Sequence, residues 1–144
     1  MKKNLISLII VFVLCFSANA FSQTCQWAES ITNNVYSGSS TTVNSNGDIY
    51  VYGNYYGGAI NFNNGISIDT GNSYDIYLAK YNSNGLCQWA QRIWGDSQEE
   101  SSDMAIDSEG NIYLIGSFTS TQINFNNNIS LNSYGNFDSF IAKY

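Results

Sequence analysis

The chain has 144 residues and a formal net charge of −6 at pH 7, with 5 basic against 11 acidic side chains and no histidine. Phosphate binding needs clustered Lys and Arg, so this balance argues against nucleic acid or an anionic membrane as a partner. The 15% aromatic content argues against disorder. Few charges, no proline, 11 tyrosines and abundant Asn, Ser and Gly predict an all-β domain of short strands and tight turns.

The first twenty residues have the pattern of an export signal. Lys2 and Lys3 form a short positive region, an apolar run follows over residues 5–16, and the sequence ANA at 18–20 supplies small residues before the cleavage point. The apolar run is too short for a membrane-spanning helix, which needs about 20 residues. We therefore expect a cleaved signal peptide (1–20) and a secreted or cell-surface protein without a membrane span.

The mature chain (21–144) contains an internal repeat. The tetrapeptide CQWA occurs at 25–28 and again at 87–90, an offset of 62 residues. At an offset of 63 residues, NSNGDIYVYGNY aligns with DSEGNIYLIGSF, INFNNGISI with INFNNNISL, and YDIYLAKY with FDSFIAKY. The second copy therefore has one extra residue between Ala90 and Asp103. Two copies of a unit of about 60 residues account for nearly all of the mature chain.

Each copy predicts a small antiparallel sheet with an additional hairpin at the INFNN segment. Strands are expected at 41–43, 49–55, 76–81 and 88–93 in the first copy, and at 104–106, 112–118 and 140–144 in the second. Gly47 and Gly110 allow the positive φ that tight turns require. The second strand of each copy is apolar on nearly every residue, which is typical of strands covered on both faces. Such units are typical of β-propeller blades, one at about 25–86 and one at about 87–144.

The repeat resembles the bacterial β-propeller repeat called SBBP. The pattern D-S-x-G-N-I-Y-x-x-G-x-F, then D-x-F-I-A-K-Y, then N-x-N-G-x-x-x-W-A carries the resemblance over residues 25–144. Its carriers in the second copy are Asp107, Gly110, Asn111, Tyr113, Gly116, Asp138, Ala142, Lys143 and Tyr144. Their counterparts are Asn44, Gly47, Asp48, Tyr50, Gly53, Asp75, Ala79, Lys80 and Tyr81, so the acid and the amide are exchanged between the two ends of the turn. The resemblance implies propeller blades in an exported surface protein, and no particular chemistry.

The CQWA segments are candidates for a redox pair, a metal site or a purely structural role. Neither has a second cysteine nearby, and the absence of histidine excludes the commonest structural zinc sets. A Cys25–Cys87 disulfide would suit an oxidising compartment. Equivalent positions in neighbouring blades, however, usually lie farther apart than the roughly 4.4–6.8 Å between Cα atoms that a bridge spans. We therefore expect two free, buried thiols, with Trp27 and Trp89 packed between blades.

Three other segments are candidates for chemistry or binding. Glu99, Glu100 and Asp103 form the densest acidic cluster, but the polar stretch GDSQEESSD around them predicts a solvated loop rather than an acid–base pair. A nucleophilic Ser or Cys would lack an imidazole base. DSEGN at 107–111 spaces oxygen ligands as calcium loops do, although a hairpin turn explains this stretch and NSNGD at 44–48 without an ion. The tyrosines of YVYGNYY (50–56) would either stack on sugar rings or cover blade faces.

The sequence thus predicts a non-enzymatic module, and it assigns no catalytic, cofactor-binding or metal-binding residues. The second copy stops at Tyr144, the equivalent of Tyr81, before its CQWA strand, while a spare CQWA strand precedes the first copy. Two blades cannot close a ring, which typically takes 4–8, so further blades of the same chain or other copies of it would complete one. We expect a scaffold or binding surface for an unknown protein or glycan, within a larger surface or secreted protein. The alternative is a small secreted lectin whose two-blade chains assemble into a sugar-binding propeller.

Overall fold

The computed structural model describes residues 23–69 and 73–144, so the expected signal peptide lies outside the described residues. The described part of the chain is all-β, as predicted, and contains no helix long and apolar enough to cross a membrane. Its strands in chain order are β1 (Val35–Val43), β2 (Ile49–Tyr56), β3 (Ile60–Asn61), β4 (Ser67–Ile68), β5 (Tyr74–Tyr81), β6 (Cys87–Ile93), β7 (Glu99–Ile106), β8 (Ile112–Phe118), β9 (Gln122–Asn124), β10 (Ser130–Asn132) and β11 (Asp138–Lys143).

The two sequence copies form two equivalent antiparallel sheets. The first sheet has the order β1-β2-β5-β6, and the second has the order β11-β8-β7; the pairs β3–β4 and β9–β10 are the predicted additional hairpins. Gly53 pairs with Tyr77 in the first sheet, and Gly116 pairs with Phe140 in the second. A Cβ atom at either glycine would collide with the aromatic ring of its partner, so both copies need glycine there for the same reason.

The two sheets pack against each other around a shared hydrophobic cluster. The first sheet contributes Tyr50, Tyr52, Ile76, Leu78 and Ile93, and the second copy contributes Met104, Ile112, Leu114, Phe118, Ile123, Phe125 and Phe140. A second cluster covers the opposite face of the first sheet and contains Tyr55, Ile60, Phe62, Ile68, Tyr77, Ala79, Tyr81 and Cys87. The first sheet is therefore covered on both faces, as its apolar strands predict. Burying each large apolar side chain stabilises the fold by about 1.5–3 kcal/mol.

Residues at the same position in the two copies touch each other across the sheets. The Ser40 hydroxyl donates a hydrogen bond of 2.8 Å to the Asp103 carboxylate. The Tyr52 hydroxyl donates one of 3.2 Å to the backbone carbonyl of Ile115. Each of these pairs is separated by the 63-residue repeat offset. The second sheet is therefore placed beside the first with the strands of its repeat aligned on the equivalent strands.

The two sheets also present opposite faces to the shared cluster. Ile112 and Leu114 of β8 point into this cluster. Their equivalents in β2, Ile49 and Val51, pack instead against the second cluster, on the other face of the first sheet. Stacking is thus head to tail: the front of one sheet meets the back of the previous one. A two-fold symmetric arrangement would have placed the same face of both sheets at the junction.

Two sequence predictions are wrong at the strand level. The polar stretch GDSQEESSD is not simply a solvated loop, because β7 begins at Glu99 and the side chain of Glu99 is fully buried. Polar strand β7 forms because it pairs along its length with the apolar strand β8. The CQWA segment at 25–28 belongs to no strand of the described chain and is exposed.

Candidate functional site

Three loops at 44–48, 82–86 and 107–111 share one hydrogen-bonded turn. In each loop the side-chain oxygen of the first residue (Asn44, Asn82 or Asp107) accepts hydrogen bonds of 2.9 or 3.0 Å from the backbone N–H groups of the third and fifth residues. The fourth residue is always a glycine with φ between 79° and 89°. This is an Asx-type turn, and it accounts for the DSEGN and NSNGD stretches. In residues 23–69 and 73–144 no three His, Cys, Asp or Glu side chains are grouped so as to hold a metal ion.

The exchange of acid and amide between the two copies preserves one side-chain contact. Asn44 donates to Asp48 at 3.0 Å, and Asn111 donates to Asp107 at 2.7 Å. This hydrogen bond from Asn111 is the main reason that the pKa of Asp107 is lowered to about 2. The ion pair with Lys80, at 2.8 Å, is the main reason that the pKa of Asp48 is lowered.

The two CQWA cysteines are free thiols, but only one of them is buried. Each thiol donates to the carbonyl two residues later, at 3.3 Å from Cys25 and 3.5 Å from Cys87. Burial raises the pKa of the Cys87 thiol to about 11, so this thiol is a poor nucleophile at neutral pH. The prediction that Cys25 is buried is wrong, because no strand of the described chain covers residues 25–28.

The two CQWA tryptophans make different contacts. Trp89 is partly buried against the shared cluster, with its ring centroid 6.1 Å from that of Tyr50. Trp27 is 39% exposed and lies on the loop at 82–86, where its indole N–H donates to the Ser83 carbonyl at 3.1 Å. A Cβ atom at Gly85 would come within 2.7 Å of the Trp27 ring. Both tryptophans therefore serve packing.

The segment before β1 makes one backbone contact equivalent to a contact at the end of β6, although it is not a strand. Thr32 forms an isolated antiparallel bridge to Asn61 of β3, and Trp94, just after β6, forms the same bridge to Asn124 of β9. The paired positions are those that the CQWA and INFNN repeats make equivalent. The residues around Thr32 thus lie on the β3–β4 hairpin as the end of β6 lies on the β9–β10 hairpin.

A buried polar network joins the two sheets. Asp75 on β5 is fully buried and pairs with Arg92, whose Nε and Nη2 atoms both lie 3.0 Å from one carboxylate oxygen. Asn54 on β2 donates to the backbone carbonyl of Glu99 at 2.7 Å. Its oxygen accepts a hydrogen bond of 3.1 Å from the backbone N–H of Ser101. These hydrogen bonds hold the start of β7 against the first sheet. They also give partners to buried polar groups, which would destabilise the fold if they were left unpaired.

Glu99 is the most strongly perturbed acid of this network. One carboxyl oxygen accepts a hydrogen bond of 2.9 Å from the Gly95 backbone, and the other accepts one from the Ser120 hydroxyl. Desolvation raises the pKa of Glu99 well above its usual range, and the neighbouring Asp75 carboxylate adds to the rise. Nothing in the sequence separates Glu99 from the exposed Glu100, since the Ser120 hydroxyl that helps to hold it lies 21 residues away.

A cleft of about 430 Å³ opens beside this network, between β1 and β7. It is lined by Tyr36, Ser37, Asn54, Tyr74, Gln98, Glu99, Glu100 and Ser101. The Tyr36 ring is 72% exposed and meets the Tyr74 ring edge to face, with centroids 5.4 Å apart. The Tyr56 ring supports Tyr74 from another side at 4.5 Å. One wall of this tyrosine cleft is thus aromatic, and the wall from the second copy is polar.

Tyr36 reaches the cleft because it is the extra residue of a β-bulge. The pairing of β1 with β2 shifts by one residue between Val35 and Ser37. The equivalent stretch of β7, at Glu99 and Glu100, pairs with β8 without a shift. Bulges commonly redirect a side chain beside a binding site. Here the bulge leaves Tyr36 exposed at the mouth of the cleft.

The sequence singled out only part of this aromatic group. Within residues 50–56, Tyr50, Tyr52 and Tyr55 are buried and cover sheet faces, which was one of the two predicted roles. Tyr56 is 52% exposed, so it does not cover a sheet face. Tyr36 and Tyr74 lie far from Tyr56 along the chain, and only the pairing of β1, β2 and β5 brings the three rings together.

No protein-family model matches the chain, and no curated protein matches it. Function is therefore inferred from the contacts of its own residues.

Proposed function

We propose that this protein is an exported, non-enzymatic β-propeller repeat module that serves as a scaffold or binding surface within a larger assembly. The observation that carries the proposal is the head-to-tail stacking of two equivalent sheets. Ser40 touches Asp103 and Tyr52 touches Ile115, so the second repeat sits on the first with equivalent residues in contact. Stacking of this kind extends beyond two units, because each new sheet presents the face that the next one needs.

The outer faces of the pair support further units. On the first sheet, Thr32 and its neighbours lie where the outer strand of a preceding sheet would lie. On the second sheet, the face equivalent to that of Tyr52 carries Ile115, 44% exposed, and Ile141, 71% exposed. Contiguous exposed apolar residues usually mark an interface.

The buried acids favour a structural role over catalysis. Glu99 is held by Gly95 and Ser120, and Asp75 is held by Arg92 and Ser73, so the oxygen atoms of both carboxyls are engaged in contacts within the protein. A general acid or base needs an atom within reach of a substrate proton. The contacts of these two carboxyls instead tie neighbouring strands and loops together, which is a structural role.

One observation favours a second candidate, a secreted lectin whose two-blade chains assemble into a propeller. The tyrosine cleft lies between the two sheets, so in a propeller it would lie between two blades. It also exposes the Tyr36 ring to a ligand. The two candidates share the blade architecture. They differ in whether a larger protein or other copies of the chain complete the ring, and in whether the cleft binds a sugar.

Light scattering on the purified chain from residue 21 to residue 144 tests the blade architecture. The exposed apolar face of the second sheet should prevent a stable monomer. If copies of this chain complete the ring, as the lectin candidate requires, the result should be a discrete oligomer of about 2–4 chains, from the usual blade count. If the native ring takes further blades from a longer chain, the segment should instead aggregate. A well-folded monomer with a cooperative thermal transition would contradict the proposal.

A further inference from the structure

We propose that the tyrosine cleft is a binding site for a neutral saccharide, with the sugar stacked on Tyr36 and its hydroxyl groups turned toward Gln98 and Glu100. The inference rests on the binding role proposed above, but it does not depend on ring closure. Both walls of the cleft belong to one chain: Tyr36 and Tyr74 come from the first sheet, and the polar residues come from the second copy.

The aromatic group is not a product of the repeat. Tyr36 is a bulge residue without a counterpart in the first part of β7, where Glu99, Glu100 and Ser101 pair with β8 without a shift. Tyr56 is replaced by Thr119 in the second copy, and only Tyr74 keeps an aromatic counterpart, Phe137. Most core tyrosines of the first copy, in contrast, align with apolar or aromatic residues that pack in the same way. The sheet therefore does not require tyrosines at positions 36 and 56, which points to a function outside the fold.

The three rings are held in place before any ligand arrives. Tyr74 lies between the other two, 5.4 Å from Tyr36 and 4.5 Å from Tyr56. Edge-to-face and tilted contacts at such distances are favourable and restrict the rings. Behind them, the bond from Ser101 to Asn54 stiffens the base of the cleft. A rigid, exposed aromatic surface binds with little loss of side-chain entropy, as in binding loops rich in tyrosine.

The opposite wall determines the class of ligand. Gln98 and Glu100 are exposed polar side chains, and no Lys or Arg is among the residues that line the cleft. An anion would therefore meet carboxylates and no cation. A neutral pyranose offers an apolar C–H face to the Tyr36 ring and hydroxyl groups to the amide and carboxylate opposite. The volume of about 430 Å³ lies within the usual range for small-ligand sites.

Binding is tested with the full secreted chain in native gels that contain xylan, laminarin, galactomannan or soluble starch, followed by calorimetric titration with the hexasaccharide of any polymer that retards it. A chain that aggregates is measured as a SUMO fusion. We expect retardation by at least one polymer. Tyr36→Ala should weaken the affinity by about tenfold or more, as for an exposed aromatic anchor. Tyr134→Ala, the matched control, removes a tyrosine that is 96% exposed outside the cleft and should leave the affinity unchanged.

Three results would overturn the inference. They are no retardation by any of the four polymers, equal affinity in Tyr36→Ala and the wild type, or Tyr36-dependent binding of tetramethylammonium in place of any saccharide, since tyrosines also attract cations. Light scattering on the same samples separates this inference from the blade proposal. An oligomer that binds no saccharide overturns only the site, and a stable monomer that binds saccharide overturns only the assembly.

Discussion

Glu99 is buried between the two sheets with hydrogen bonds from the Gly95 backbone and the Ser120 hydroxyl, close to the Asp75–Arg92 ion pair. An ionised carboxylate in this place would face both desolvation and the charge of Asp75. Its protonated form avoids both penalties. The protonation of Glu99 therefore affects the stability of the folded protein.

We predict that the free energy of unfolding falls as the pH rises from about 5 to about 8. Because the folded-state pKa of Glu99, about 8, lies above the ordinary value of 4.5, the folded state keeps a proton that the unfolded chain releases in this window. The stabilisation is complete below pH 4.5 and is lost as the pH rises through the folded-state pKa. One proton gives a slope of at most about 1.4 kcal/mol per pH unit.

Urea unfolding at several pH values measures this slope. Glu99→Gln cannot ionise and should flatten it, whereas the control Glu100→Gln changes an exposed neighbour and should keep it. Carboxylates with a lowered pKa, such as Asp107, lose their stabilisation only as the pH falls below 3.8, so they do not mask the effect. An unchanged slope in Glu99→Gln would show that Glu99 is ionised throughout.

At the scale of single residues, the sequence predicted those features that depend on neighbouring residues in the chain. The glycines of the turns and the acid–amide exchange follow from nearby residues, and the structure confirms the turns. The burial of Glu99 and the exposure of Cys25 depend on what packs against them from far along the chain. The pattern around each residue carries no sign of those partners.

At the scale of elements, one turn is built from two opposite arrangements of acid and amide. In the loop at 44–48 the amide comes first and the acid last, and in the loop at 107–111 the order is reversed. The backbone bonds are the same in both. The loop at 82–86 makes the same backbone turn with Asn82 and Leu86 at its ends, so the turn itself does not need an acid. The acid and the amide add a side-chain hydrogen bond between the ends of the loop, and either order supplies it.

Because either order of acid and amide makes the same side-chain contact, we predict that a second substitution restores the stability lost on changing Asp107. Asp107→Asn places two amides together and removes the carboxylate that accepts the Tyr113 hydroxyl at 3.0 Å, so the midpoint of urea unfolding should fall. Adding Asn111→Asp restores an acid–amide pair in the order of the first loop. It also places a carboxylate near Lys143, the counterpart of Lys80, which pairs with Asp48. The double variant should recover most of the loss.

A double-mutant cycle of urea midpoints decides the point, with Asn111→Asp alone as the second single variant. That variant brings two carboxylates together and should also be destabilised. If the double variant loses as much as the two single variants together, the side-chain pair does not hold the loop.

Strands were predicted correctly where a local pattern marks them, and they were missed where a distant partner strand determines them. β2, β6 and β8 match their expected bounds to within a residue, because apolar runs and turn glycines mark them. The first halves of β1 and β7 were missed, since Ser, Thr and acidic residues show no period there and the partner strand decides the pairing. The bulge at Tyr36, and with it the cleft, has no sequence signal for the same reason.

At the scale of the molecule, the repeat determines which surfaces are equivalent. Tyr52 and Leu78 form a cross-strand pair in the first sheet and are fully buried beneath the second. The equivalent pair in the second sheet, Ile115 and Ile141, is exposed. An internal repeat could be recognised from the sequence alone. The orientation in which its two sheets stack required the contacts between them.

The exposed pair on the second sheet is therefore the surface on which assembly should depend. Ile141→Asp places a charge at the centre of this face, where burial beneath another sheet would leave the carboxylate without a partner. The variant should dissociate the expected oligomer of about 2–4 chains while keeping the wild-type circular dichroism spectrum, because Ile141 is 71% exposed within one chain. Tyr134→Asp is the matched control: it introduces the same charge at a side chain that is 96% exposed in the loop between β10 and β11, and it should assemble as the wild type does. Light scattering compares the three proteins at equal concentration. If Ile141→Asp assembles unchanged, this face is not the interface, and the stacking of the two sheets stops at the pair seen in one chain.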